Sequence, residues 1–278
     1  MRITRLAGLV AAGAFLITAA LPVSAADTAM IRVLHGSPDA PNVDVYANGS
    51  KILSDVPFGA LSKYLAVPAA TYKVRVCAAG TDGKVDANCP IIADLAFAAG
   101  KKYTIAASDL VAQIKANVFV DGNAVDGKAK VRVVHLSADT PAVDVLTQDG
   151  STKVVENLSY PDATGYLALA PGSYDLKVCA HADNTVCPLD PGALDLAGGT
   201  AYTVFAIGSL KGGGDVKGLT AVVGVDGMAA PATDTAVAPA GTSDGTSNGN
   251  GLAVLLLGVA AVAGLGASRR FAKARAER

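Results

Sequence analysis

The residues of this 278-residue chain best equipped for chemistry are its three histidines, four cysteines and numerous aspartates. His35-Gly36-Ser37-Pro38-Asp39, followed by Asp44, holds the ingredients of a Ser/His/Asp site, and so does His135-Leu136-Ser137-Ala138-Asp139, followed by Asp144. A serine two residues from a histidine on a strand shares its face, so imidazole and hydroxyl can touch. Nucleophilic catalysis also requires a positioned base and oxyanion donors acting together. No G-x-S-x-G elbow or oxyanion loop accompanies these residues. The expected role is therefore structural: the ring bonds the Pro-containing turn, and Asp39 bonds turn amides as an Asx motif. Ligand or metal contact by these residues is the other reading of the segment. The alternative function is a secreted hydrolase or metal-dependent enzyme using His35 and His135 with their nearby aspartates.

Cys77 with Cys89, and Cys179 with Cys187, stand at matching places and are expected to form two disulfides, each clamping a short loop. Their spacings lack the paired C-x2-C form of zinc sites. His181 stands opposite Ala79 in the other half. Asp82, Asp86 and Asn88 offer oxygen ligands without a calcium-loop pattern, and a solvated turn is expected there. Tryptophan is absent, and most tyrosines recur at strand positions that suit a core or corner. Tyr46 and Tyr160 lack partners in the other half and are the better candidates for exposed contact. No phosphate loop, dinucleotide fingerprint or metalloprotease motif is present, and no cofactor is expected.

The elements that must position these residues are written twice. Ile31-Arg-Val-Leu-His35-Gly-Ser37-Pro-Asp39-Ala-Pro41-Asn-Val43-Asp44-Val45 returns as Val131-Arg-Val-Val-His135-Leu-Ser137-Ala-Asp139-Thr-Pro141-Ala-Val143-Asp144-Val145. Tyr64, Tyr72, Cys77, Tyr103 and Asp121 return as Tyr166, Tyr174, Cys179, Tyr202 and Asp226. Drifting offsets place insertions in loops, as in two copies of one domain. Ile31-Val33-His35, Val43-Val45, Tyr72-Val74-Val76 and Tyr103-Ile105 alternate with more polar neighbours, which predicts strands. Asn48-Gly49 predicts a two-residue hairpin turn. Pro171-Gly172-Ser173-Tyr174 predicts a corner whose phenol bonds loop backbone. The fold class expected is all-β: two tandem antiparallel β-sandwiches, Ig-like or transthyretin-like, at 27–127 and 128–228.

The ends read differently. Residues 1–25 have a basic start, an apolar run and a small-residue site, the pattern of a secretory signal peptide cleaved after Ala25 or Ala26. Residues 229–250 are rich in Ala, Pro, Thr, Ser and Gly and are expected to form a flexible stalk of roughly 25 Å r.m.s. reach. Residues 251–268 carry no charge and can just span a bilayer as a transmembrane helix; 269–278 form a basic cytoplasmic tail. The formal charge of −1 conceals this asymmetry. Of 23 basic residues, seven lie in the signal and tail, against one of 24 acids, so the exported part carries −7 and the last ten residues +4. Nucleic acid is therefore not an expected partner.

The paired V-R-V-x-H-x-S-x-D-x-P-x-V-D-V segments resemble a family of secreted bacterial proteins with a tandem domain of unknown function, number four-three-nine-seven. The resemblance covers both repeats, and His35 to Val45 is its most specific part. The second copy departs from S-P-D-A-P by reading Ser137-Ala-Asp-Thr-Pro141. The resemblance implies an envelope location and a β-sandwich-like domain, and carries no catalytic residue. The expected function is a non-enzymatic, membrane-anchored interaction or structural module of the cell envelope. Its expected partner is an envelope protein or cell-wall polymer, with the membrane engaged through the C-terminal helix.

Overall fold

The computed structural model describes residues 27–122 and 127–228. The signal peptide, stalk, transmembrane helix and tail expected at 1–25, 229–250, 251–268 and 269–278 lie outside the described residues. Among the described residues, no helix is long and apolar enough to cross a membrane.

Each repeat contributes eight strands. Repeat one contains β1 (Thr28–His35), β2 (Val43–Ala47), β3 (Ser50–Val56), β4 (Leu65–Pro68), β5 (Ala70–Ala78), β6 (Ile91–Phe97), β7 (Lys102–Ser108) and β8 (Lys115–Asp121). Repeat two contains β9 (Ala129–His135), β10 (Val143–Thr147), β11 (Lys153–Leu158), β12 (Leu167–Leu169), β13 (Gly172–Ala180), β14 (Leu189–Leu196), β15 (Thr200–Ile207) and β16 (Thr220–Met228). In repeat one a sheet ordered β4-β1-β7-β8 faces one ordered β3-β2-β5-β6; β12-β9-β15-β16 and β11-β10-β13-β14 repeat the arrangement.

Local chemistry accounts for the joints. Asn48 and Gly49 both have positive φ, 47° and 82°, which lets a two-residue turn close β2 onto β3. The Tyr72 hydroxyl donates to Pro68 O and the Tyr174 hydroxyl to Ala170 O, both at 2.9 Å, forming the expected corner in both copies. Cys77–Cys89 and Cys179–Cys187 are disulfides.

One feature differs from a purely antiparallel sandwich. β1 pairs with β7 in parallel, and β9 with β15 likewise. A hairpin cannot join parallel neighbours, so the chain builds the whole opposite sheet between them. Alternation along a strand is the same for either direction, which is why the sequence pattern does not reveal the pairing.

β1, β7, β9 and β15 are buried on both faces. Ile31, Val33, Tyr103 and Ile105 point into the core of repeat one. The intervening residues, Arg32, Leu34, Thr104, Ala106 and Ser108, are also buried. Leu34 and Ala106 pack with Val134, Leu136, Phe205 and Ile207 of repeat two in a shared apolar cluster. The two inner sheets thus lie back to back, and residues 27–228 fall within one compact unit.

Candidate functional site

Each repeated segment begins on a strand that ends at the seam and runs into a loop. His35 is fully buried, and its Nε2–H donates to the Pro41 carbonyl at 3.0 Å. His135 repeats this with Pro141 at 3.2 Å, while its Nδ1 accepts the Ser137 N–H at 3.3 Å. Burial pushes both imidazoles below the usual histidine range, against the opposing pull of the carbonyls they bond. Both are neutral rings locking the Pro-containing turn. Neither ring is hydrogen-bonded to the hydroxyl of its neighbouring serine, which turns to Asp39 or Asp139 instead, and His35 Nδ1 is buried without a hydrogen-bond partner.

Ser37 and Ser137 donate to Asp39 and Asp139 at 3.5 and 3.2 Å. Those aspartates fasten the first loop to the loop leaving β7 or β15. Asp39 accepts the Val111 N–H at 2.8 Å; Asp139 accepts the Ser209 hydroxyl at 2.7 Å and the amides of Leu210 and Lys211. Burial works to raise the Asp139 pKa, and these bonds outweigh it, leaving it below the usual carboxylate range.

Asp44 and Asp144 are buried hubs for the opposite sheet. Asp44 accepts Lys51 Nζ at 2.6 Å and the Asp55 N–H at 2.9 Å. Asp144 accepts Lys153 Nζ and the Asn157 N–H, each at 2.8 Å, together with His181 and Asn184. Burial opposes ionisation of Asp144, but its hydrogen bonds prevail and hold it far below the usual range. The ligand atoms of Asp144, Glu156 and His181 lie within 4.8 Å of one another, a grouping that could hold a metal ion. Lys153 Nζ lies 2.8 Å from Asp144 and 3.2 Å from Glu156, so an ammonium already supplies the positive charge there. This histidine is His181, not the repeated His135.

The Asp82 loop is an ordinary turn: Asp82 caps the Lys84 N–H at 2.9 Å and Asp86 pairs with Arg75 at 2.6 Å. Tyr46 is packed rather than free, with a Cβ placed on Gly83 falling 2.3 Å from its ring. Tyr160 has a structural counterpart that drifting offsets conceal. Phe58 meets His35 edge-on at 6.3 Å, as Tyr160 meets His135 at 6.5 Å.

The arginine inside each V-R-V escaped the sequence reading. Arg32 donates through Nε to Thr104 at 2.8 Å, through Nη1 to Val225 O at 3.0 Å, and through Nη2 to Asp226 of the other repeat. Arg132 donates to Thr203, to Val120 O at 2.9 Å and to Asp121 at 2.5 Å. Tyr64 and Thr104 each donate to Asp121 at 2.7 Å; Tyr166 and Thr203 each donate to Asp226 at 2.6 Å. The guanidinium carbons stand 4.6 and 4.9 Å from the centres of the Tyr64 and Tyr166 rings. Burial, reinforced by the adjacent carboxylate, pushes the Tyr166 hydroxyl up to about 12. Two cations and two anions cancel inside the seam, which satisfies the buried charge.

Where the seam reaches the loops, a cleft of about 250 Å³ opens between the repeats. Pro38, Asp109 and Leu110 line one side, and Asp139, Tyr160 and Ser209 the other. Leu110 is exposed, and the Tyr160 hydroxyl lies 3.5 Å from both Ser108 and Asp109. Asp109 has φ of 78°, a conformation uncommon outside glycine. Apolar surface, a phenol and a carboxylate make this cleft the candidate contact surface.

No curated protein matches the chain. Among solved structures, the C-terminal domain of AlgF from P. aeruginosa is similar at 25% identity and a TM-score of 0.28, over 36% of this chain and 98% of that one. The family model described as "Domain of unknown function (DUF4397)" matches residues 29–146 and again 146–239. With two consecutive matches that together span more than half its length, the chain belongs to the DUF4397 family.

Proposed function

We propose that the chain is a non-catalytic interaction or structural module of the cell envelope. Residues 229–250 hold the two repeats outside the membrane, 251–268 anchor them, and the basic tail remains in the cytoplasm. The observation that carries the reading is the use made of the repeated polar residues. His35, Ser37, Asp39, Asp44 and their counterparts all bond their own repeat, while the inter-repeat cleft presents the exposed Leu110 beside Tyr160. Two disulfides suit an oxidising compartment. The partner is an envelope protein or a cell-wall polymer, and the acidic exterior disfavours nucleic acid.

Fractionation of cells expressing the full chain tests the topology. The chain should resist alkaline carbonate extraction, and protease added to intact cells should remove the repeats while sparing a C-terminal tag. Release without detergent would refute the anchor. Binding to purified cell-wall sacculi and to surface proteins, for the wild type beside Leu110→Asp and Tyr160→Ser, tests the cleft. Binding unchanged by both substitutions would rule the cleft out.

A further inference from the structure

Repeat two has a second feature, unrelated to the loop-end cleft. Between its sheets is a cavity of about 90 Å³ whose lining residues are all apolar. The sequence accounts for the space when the two copies are superposed by strand register. Ile31, Ile52 and Ile105 of repeat one become Val131, Val154 and Val204, Phe97 becomes Leu196, and Ala93 becomes Gly192. Val67→Leu169 and Val74→Leu176 return only part of the loss, so across these seven positions repeat two is five carbon atoms smaller. The exposed lining residues Pro191, Ala193 and Val223 all belong to β14 and β16, which places the mouth between these two edge strands. β14 is irregular at this point: its pairing with β13 shifts between Leu176 and Val178, opposite Gly192, whose φ is 75°. A missing side chain and a bulge leave the edge open.

A dry apolar cavity of ~150 Å³ holds benzene, so this smaller one suits the end of a chain rather than a ring. No polar side chain lines it, and a guest must therefore leave any charged group at the mouth. We infer that repeat two binds the saturated hydrocarbon tail of an amphiphile, inserted between β14 and β16, at a site that repeat one fills with larger side chains. The tail belongs either to a bilayer lipid or to a free fatty acid; the chemistry recognised is the same.

The test uses the full chain in native membrane vesicles. One arm adds palmitic acid bearing a diazirine near its methyl end; the other incorporates a phosphatidylglycerol with the same group on one acyl chain. After photolysis, mass spectrometry locates the attached probe. Label is expected on the peptides of β14 and β16, and not on β6 and β8 of repeat one. The arm that labels identifies the source of the tail. In the variant Val204→Ile/Leu196→Phe, which restores the repeat-one residues, labelling should fall about tenfold, the equivalent of ~1.4 kcal/mol. That variant should keep both disulfides and unfold at no lower temperature, which separates a filled site from a broken fold. No label in either arm, equal label in both repeats, or unchanged label in the filled variant would overturn the inference.

Discussion

Asp226→Ala is the most searching single perturbation of the seam. The carboxylate accepts from Arg32 Nη2, from the Tyr166 hydroxyl and from Thr203, and its side chain is fully buried. Its removal leaves the Arg32 guanidinium, 2% exposed, with only the more distant Asp121 at 3.7 Å as counter-charge. Breaking a buried pair in this way costs about 3–5 kcal/mol, because the surviving ion has been stripped of water without compensation. The surface pair Arg75–Asp86, whose aspartate is 71% exposed, is the internal control and should contribute about 0–1 kcal/mol. Replacing both partners, Arg32→Met with Asp226→Leu, removes the stranded charge and should recover most of the loss. The assay is urea unfolding with disulfides intact, followed by circular dichroism and by tyrosine fluorescence, since tryptophan is absent. The wild type should unfold in one transition; Asp226→Ala should broaden or divide it as the repeats uncouple. The reasoning fails if Asp226→Ala costs under ~1 kcal/mol, or if the double variant is as unstable as the two single changes added together.

Four further outcomes are expected. Because His35 and His135 have lowered folded-state pKa values, the native chain binds fewer protons than the unfolded chain below about pH 6.5. Stability should therefore drop as pH falls from 7.5 to 5.5, and His35→Gln/His135→Gln should flatten that slope in urea midpoints. Asp44, Asp139 and Asp144, with depressed pKa values, stabilise above the unfolded carboxylate pKa, so their contribution should fade only below about pH 4. Cys77→Ser with Cys89→Ser should cost about 2.5–3 kcal/mol in the chain-entropy account, and reduction of both bridges about 5 kcal/mol, which denaturation of the variant and of the wild type with and without reductant measures. A Cβ at Gly224 would fall 2.6 Å from Leu61 and 2.7 Å from Arg32, so Gly224→Ala should cost about 1–3 kcal/mol by calorimetry while an exposed Gly→Ala elsewhere does not.

Much of this was legible in the sequence, and the boundary has physical causes. Duplication, strand alternation, the Asn48-Gly49 turn, the tyrosine corner and the cysteine pairs are local patterns with local consequences. The seam is not local. In I-R-V-L-H the arginine occupies the face that alternation assigns to solvent, and only the three-dimensional partner reveals it as buried. Small residues at Thr104, Ala106 and Ser108 are the one trace that this face is covered, since each is fully buried. Tyr64 and Tyr166 were legible as recurring strand tyrosines, but their work on Asp121 and Asp226 depends on contacts some sixty residues apart in the chain. The histidine readings rested on turn chemistry within six residues, and the bonds to Pro41 and Pro141 span that distance. The cleft required the two copies to meet, which no pattern within one copy encodes.

The crossed pairing of Arg32 with Asp226 and of Arg132 with Asp121 has a consequence for ancestry. One copy holds both the donor and the acceptor, so its inner face is complementary to itself. That is the signature of an isologous interface, in which the same patch serves both subunits of a symmetric dimer. The tandem chain is, in this sense, a homodimer made covalent by the link between β8 and β9. Fusion fixes the stoichiometry and frees each half to diverge. Repeat two has used that freedom at its core, whereas Arg32, Asp121 and Tyr64 of the shared face stand unchanged as Arg132, Asp226 and Tyr166.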